Sequence, residues 1–168
     1  MALRANIITA NNIVETAFTR RIQDLHFKDS DIQAAQFLYV EKVLGVDFLD
    51  YVLAHEASFE DLITGYITPV ISFGVYSMNF YRLFAEVTDR GINQFNNTGS
   101  QQIDSEGRAR LFAEINQTLD VKISMMVAYC LEQSDLGTTG YSYLDIDSRF
   151  EDFHETAVFG KKLKNTYL

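Results

Sequence analysis

Apolar positions in this 168-residue chain alternate between helical spacing and none at all. From residue 30 onward Ile32, Ala35, Tyr39 and Val43 recur at helical intervals, with Phe37, Val40 and Leu44 alongside, which predicts a helix. Ser30 is placed to cap it, because a serine hydroxyl accepts an orphan backbone N–H, and Gly45 is placed to end it. A short helix over 47–53 follows, capped by Asp47. Another begins near Phe59, where Ser58 and Asp61 approximate a capping box. Thr68 and Pro69 read as a cap and a first-turn proline, opening a long helix over 69–87. Its apolar residues, among them Val70, Ile71, Phe73, Val75, Phe80 and Phe84, wrap most of the circumference and predict contacts on more than one side. The last helix spans about 105–133, with Phe112, Ile115, Leu119, Ile123, Met126 and Cys130 at intervals of three and four.

The remaining stretches lack that period. Residues 6–29 read as an irregular arm with a single helical turn at 11–17. Residues 88–102 hold turn signals, Asp89-Arg90-Gly91 and Asn96-Asn97-Thr98-Gly99-Ser100, around Ile92, Gln94 and Phe95; a short strand or hairpin arm is expected there. After Gly137-Thr138-Thr139-Gly140, residues 141–147 look extended. Phe150, Phe153, Phe159 and Tyr167 then stand among charges with no sustained period. The fold class expected is mainly α: a bundle of about four helices with an inter-helix arm and an extended C-terminal tail. The natural division is a helical domain over 1–134 and a tail over 135–168.

Apolar residues are 47% of the chain and aromatics 13%, which suits one packed domain and not a disordered segment. Acidic residues outnumber basic ones 23 to 14, for a formal charge of −9. A specific nucleic-acid binder needs a basic patch to neutralise phosphates, and the helical stretches offer none. An acidic surface repels DNA and suits a protein that DNA slides past. The single cysteine, Cys130, excludes an internal disulfide, and its apolar neighbours predict a buried, unreactive thiol. The first residues show no charged segment followed by an apolar run, so no signal peptide is expected. Residues 62–81 carry no charge, yet Thr64, Gly65, Thr68, Ser72, Ser77 and Asn79 make them too polar for a membrane span.

Little in the chain is arranged for chemistry. Glu151 and His154 form one Glu-x-x-His element, whereas a di-iron bundle needs two such elements and two further glutamates. No phosphate loop, nucleophile elbow or Cys–His pairing appears. No catalytic residue, metal or cofactor is therefore expected. His55 is placed for a charge–dipole contact at a helix C-terminus. The acidic residues between 29 and 61 read as solvated faces and caps, or as one acidic surface of an assembly. Lys161, Lys162 and Lys164 form a basic cluster that is either a solubilising terminus or a latch onto an acidic partner.

The order of elements carries a family resemblance. It consists of a helix opening at Asp31-Ile32-Gln33 and closing at Leu44-Gly45, the short helix over 47–53, Phe59 to Ile63, and the uncharged helix from Pro69 to Val87-Thr88. This order, over roughly the first two thirds of the chain, resembles the head–tail connector (adaptor) proteins that form rings under the portal of tailed bacteriophages, in particular ring proteins of crAss-like gut phages. The resemblance implies a structural virion protein at the head–tail junction, present in the host cytoplasm during assembly. It implies a homo-oligomeric ring of about a dozen copies, lining a channel for genomic DNA and contacting the portal and other connector or tail proteins, with no membrane partner. The implied inter-subunit arm comprises Asp89, Arg90, Ile92, Asn93, Gln94, Phe95, Asn96 and Asn97. The implied tail anchors are Tyr143, Phe150, Phe153, Phe159, Lys161, Lys162, Lys164 and Tyr167. The alternative is a small helical enzyme or ligand-binding protein, with a pocket between helices 69–87 and 105–133 supplied by Tyr76, Asn79, Tyr81 and Tyr129.

Overall fold

The computed structural model describes residues 5–18, 27–83, 85–88, 91–94 and 105–146. The fold is mainly α, a bundle of five helices in which one β-hairpin joins the two longest. Helix α1 is Ala10–Ala17. Helix α2 covers 29–44 as Asp29–Gln36, a π turn at Phe37–Glu41, and Lys42–Leu44. Helix α3 is Val46–Ala54, followed by a 3₁₀ turn at Glu56–Ser58. Helix α4 covers 60–83 as Glu60–Leu62, a π turn at Ile63–Ile67, and Thr68–Leu83. Strands β1 (Ala85–Thr88) and β2 (Gly91–Gln94) precede α5, Ser105–Asp135.

Four expectations from the sequence are corrected by local physics. The N-terminal region holds a full helix, not one turn. The Thr9 N–H donates to Asn12 Oδ1 (2.8 Å), the Asn12 N–H donates to Thr9 Oγ1 (3.4 Å), and Ile13 is fully buried. Helix α2 starts before Ser30, because the Asp31 carboxylate accepts the N–H of Lys28 at 3.2 Å, which leaves Ser30 in the first turn. Helix α3 is entered from Gly45 and carries no side-chain cap from Asp47. Thr68-Pro69 opens no new helix, since α4 runs through it. A proline inside a helix lacks the donor and crowds the carbonyl of residue i−4. The wider π turn over Ile63–Ile67, with the Thr68 N–H donating to Ile63 O, lies at that point and absorbs the defect.

At its far end α4 stops at Leu83, not at 87, because Val87 and Thr88 are β-branched and the chain turns into a strand there. The hairpin is antiparallel, in register from Ala85↔Gln94 to Thr88↔Gly91. Helix α5 ends in a Schellman-type turn: the Thr138 N–H donates to Gln133 O (3.0 Å), and Gly137 takes positive φ.

Helix α4 lies at the centre, with α1, α2 and α5 packed around it. Much of its all-round apolar surface is met within this one chain: Val70, Ile71, Val75 and Phe80 are buried, while Met78 and Tyr81 are exposed. Ile32, Ala35, Val40, Leu44, Phe48, Leu62, Ile67, Ile71, Met126 and Cys130 are among the residues of one continuous core. Two side-chain contacts fix antiparallel register along its length: Ser77 Oγ donates to Asn116 Oδ1 at 2.6 Å, and Arg82 meets Asp31 at 2.7 Å. The N-terminal segment is stitched to α2 by Gln36. Its Oε1 accepts from Ile7 N–H (3.0 Å), and its Nε2 donates to Ala5 O (3.3 Å).

Candidate assembly surfaces

The two ends of α4, roughly 35 Å apart at 1.5 Å per residue, present different chemistry. At its C-terminal end sits the hairpin. Of the arm residues named above, Ile92, Asn93 and Gln94 lie on β2, opposite Val87, Glu86 and Ala85 of β1. Asp89, Arg90, Phe95, Asn96 and Asn97 lie outside the described residues. The sheet has two strands only, so among the described residues neither outer edge pairs with a third strand. The hairpin meets the body chiefly through β1 against the end of α4. Beside it, Met78 (42% exposed) and Tyr81 (61%) stand in solvent, and the Tyr81 ring lies 5.4 Å from Phe112.

At the opposite end the chain beyond α5 turns back onto the body. Residues 141–143 form a 3₁₀ turn where extended backbone is expected from the sequence. Tyr141 enters the core, its ring 5.3 Å from Phe48 and 5.4 Å from Phe59. Tyr143 stacks on Tyr51 at 4.9 Å, and Tyr51 stacks on His55 at 4.2 Å. His55 closes α3, with Nδ1 2.9 Å from the Tyr51 carbonyl oxygen. The Asp145 N–H donates to Leu44 O at 3.2 Å. Two glycines permit this docking. Gly45 (φ 91°) passes under Asp145, and Gly140 (φ 93°) lies against the rings of Tyr51 and Phe59. Of the tail anchors, Tyr143 is thus held by its own chain. Phe150, Phe153, Phe159, Lys161, Lys162, Lys164 and Tyr167 lie outside the described residues. The docking of 138–146 is not legible as a period, because its apolar residues Tyr141, Leu144 and Ile146 follow a single turn and no repeat.

This end is acidic. Residues 43–81 and 123–146 contain no lysine or arginine. Asp47, Glu56, Glu60, Asp61 and Asp145 are all exposed there. Among the carboxylates Val46, Leu136 and Tyr143 are exposed by 48%, 71% and 50%. An open groove of about 480 Å³ runs between α5 and the docked segment, lined by Leu131, Ser134, Tyr141, Leu144, Asp145 and Ile146 among others. By contrast Asp29 and Asp31, at the hairpin end, are engaged by Asn6 (3.1 Å) and Arg82.

The polar residues named for a pocket between the two long helices do not converge. Asn79 donates to the Val75 carbonyl in its own helix at 3.0 Å. Tyr76 packs 4.3 Å from Phe18, and burial raises its pKa. Tyr81 is exposed, and Tyr129 stacks on Tyr66 at 4.3 Å. Cys130 is fully buried, and burial pushes its thiol pKa up, away from the thiolate a nucleophile requires. Tyr141 is raised too, first by burial, then by Cys130 and Tyr129 beside it. Among the described residues no group of three or more His, Cys, Asp or Glu is placed to hold a metal, and no helix is long and apolar enough to cross a membrane. Glu151 and His154 lie outside the described residues.

No curated protein and no solved structure matches the chain. A model described as "Family of unknown function (DUF6712)" matches residues 16–136, from the end of α1 to the end of α5. The docked segment 138–146 falls just beyond the matched span. With most of its helical body covered, the chain belongs to the DUF6712 family.

Proposed function

We propose that the chain is a structural virion protein whose copies form a ring between portal and tail, around the channel through which the phage genome passes. One observation carries this reading: the hairpin 85–94, placed between the two longest helices, with no third strand paired to either edge among the described residues. An isolated two-stranded hairpin is marginal in water. An open edge is also a template for pairing with another chain. A short two-stranded arm, poor in apolar residues, gains most from a neighbouring subunit. The net charge of −9 agrees with a channel wall that DNA slides past without being held.

Labelling tests the assignment. An antibody against the chain, applied to purified particles of the phage encoding it, is expected to mark the junction of head and tail. Particles that lack the protein, or that carry it elsewhere, overturn the assignment.

A further inference from the structure

We propose that the groove at the acidic end of one copy receives residues 159–168 of a neighbouring copy. The proposal rests on the reading of the chain as a ring subunit and names the contact that joins two such subunits.

The acceptor is a patch of defined chemistry. Leu131, Leu144 and Ile146, together with Ser134, Ser142, Tyr141 and Asp145, line an open groove of about 480 Å³ that is more polar than apolar. Exposed Leu136 and Tyr143, and exposed Asp47, Asp61 and Asp145, belong to the same end. With no lysine or arginine in 43–81 or 123–146, no basic group from these segments neutralises that end. A mixed groove with Asp145 in its wall, at an end rich in carboxylates, suits a segment that is basic and carries a few apolar anchors.

The most basic such segment of the chain is 159–168. Residues 159–168 read Phe-Gly-Lys-Lys-Leu-Lys-Asn-Thr-Tyr-Leu, with three lysines, no acid and apolar residues at both ends. Charge also decides which copy it occupies. Residues 147–158, which follow Ile146 in the chain, hold Asp147, Glu151, Asp152 and Glu155 against Arg149 alone. The acidic end repels this leash at the close range where salt does not screen it. The leash spans up to about 40 Å when extended, more than the roughly 35 Å length of α4. A basic segment on one copy and an acidic groove on the next make a heterologous contact, the kind that closes into a ring when the rotation allows.

Zero-length carbodiimide cross-linking of the full chain, assembled from an equal mixture of isotopically light and heavy protein, tests this directly. Lys161, Lys162 or Lys164 should link to Asp47, Asp61 or Asp145 in pairs that join light to heavy chains. Charge reversal at the three lysines (K161E, K162E, K164E) should raise the concentration for half-assembly by about tenfold or more. Added D61K and D145K should recover most of that loss. Links within one isotope only, links from these lysines to Asp29, Asp31, Glu106 or Glu114 at the hairpin end, or no links from them at all would each overturn the proposal. Rings that persist without light–heavy pairs sink the latch and leave the ring reading standing. A chain that stays monomeric sinks both.

Discussion

Gly140 shows how much of the structure can hang on one missing side chain. It sits at φ 93°, where L-residues are strained, and a Cβ there would strike the rings of Tyr51 and Phe59. Gly137 also has positive φ (69°) but faces open space. Gly140→Ala should therefore cost about 2–4 kcal/mol, from conformational strain and overpacking together. Gly137→Ala should cost only about 1 kcal/mol. Urea titration of both variants checks this, and equal losses would mean that residues 138–146 are not docked. A second prediction concerns pH. Cys130, Tyr141, Tyr39 and Tyr76 are all neutral when protonated, and burial raises each above its ordinary value, with Asp120 adding to Tyr39. The folded chain therefore holds these protons more tightly than the unfolded chain. Their contribution to stability is complete below the unfolded values, near pH 9 for the thiol and 10 for the phenols, and is lost as pH rises through the folded ones. Unfolding free energy should fall steadily above about pH 9, less steeply in Tyr141→Phe. A flat profile between pH 9 and 11 would contradict the burial of these groups.

Among the elements, those that follow hydrophobic period are readable from the chain, and those set by special backbone are not. The stripe Ile32, Ala35, Val43 and the run from Ile115 to Cys130 mark α2 and α5, because burial of one face at helical spacing leaves a trace in sequence. The continuity of α4 leaves none, since Pro69 ordinarily opens a helix and only the π turn over Ile63–Ile67 lets it sit inside one. Helix α1 is short, and Ile13 is its sole fully enclosed anchor, too little period to register. The hairpin is half legible: turn signals place an arm, but β-branched Val87 and Thr88 bring it forward to 85–94. The acidic end is visible as composition, yet only the fold joins residues 47–61 to Asp145. Replacing 85–104 with a short Gly-Ser linker should shift the melting temperature by less than about 4 °C, because only Ala85, Val87, Ile92, Phe95 and Ile103 of these residues are apolar. It should also abolish assembly. A fall of more than about 10 °C, with assembly intact, would make the hairpin part of the fold and not of the interface.

At the scale of the molecule, the helical body carries two unlike surfaces at opposite ends, a two-stranded hairpin and an acidic end with an open groove. In the proposed ring, two unlike ends would let copies repeat head to tail. Its net charge predicts no retention of double-stranded DNA, and measurable binding in a mobility-shift assay at about 150 mM salt would contradict the acidic wall. Native mass spectrometry of the purified full-length chain tests the ring most directly. A ring subunit gives one large closed species whose mass is an integral multiple of 19.2 kDa and does not grow with concentration. A single species at 19.2 kDa across the whole concentration range contradicts it.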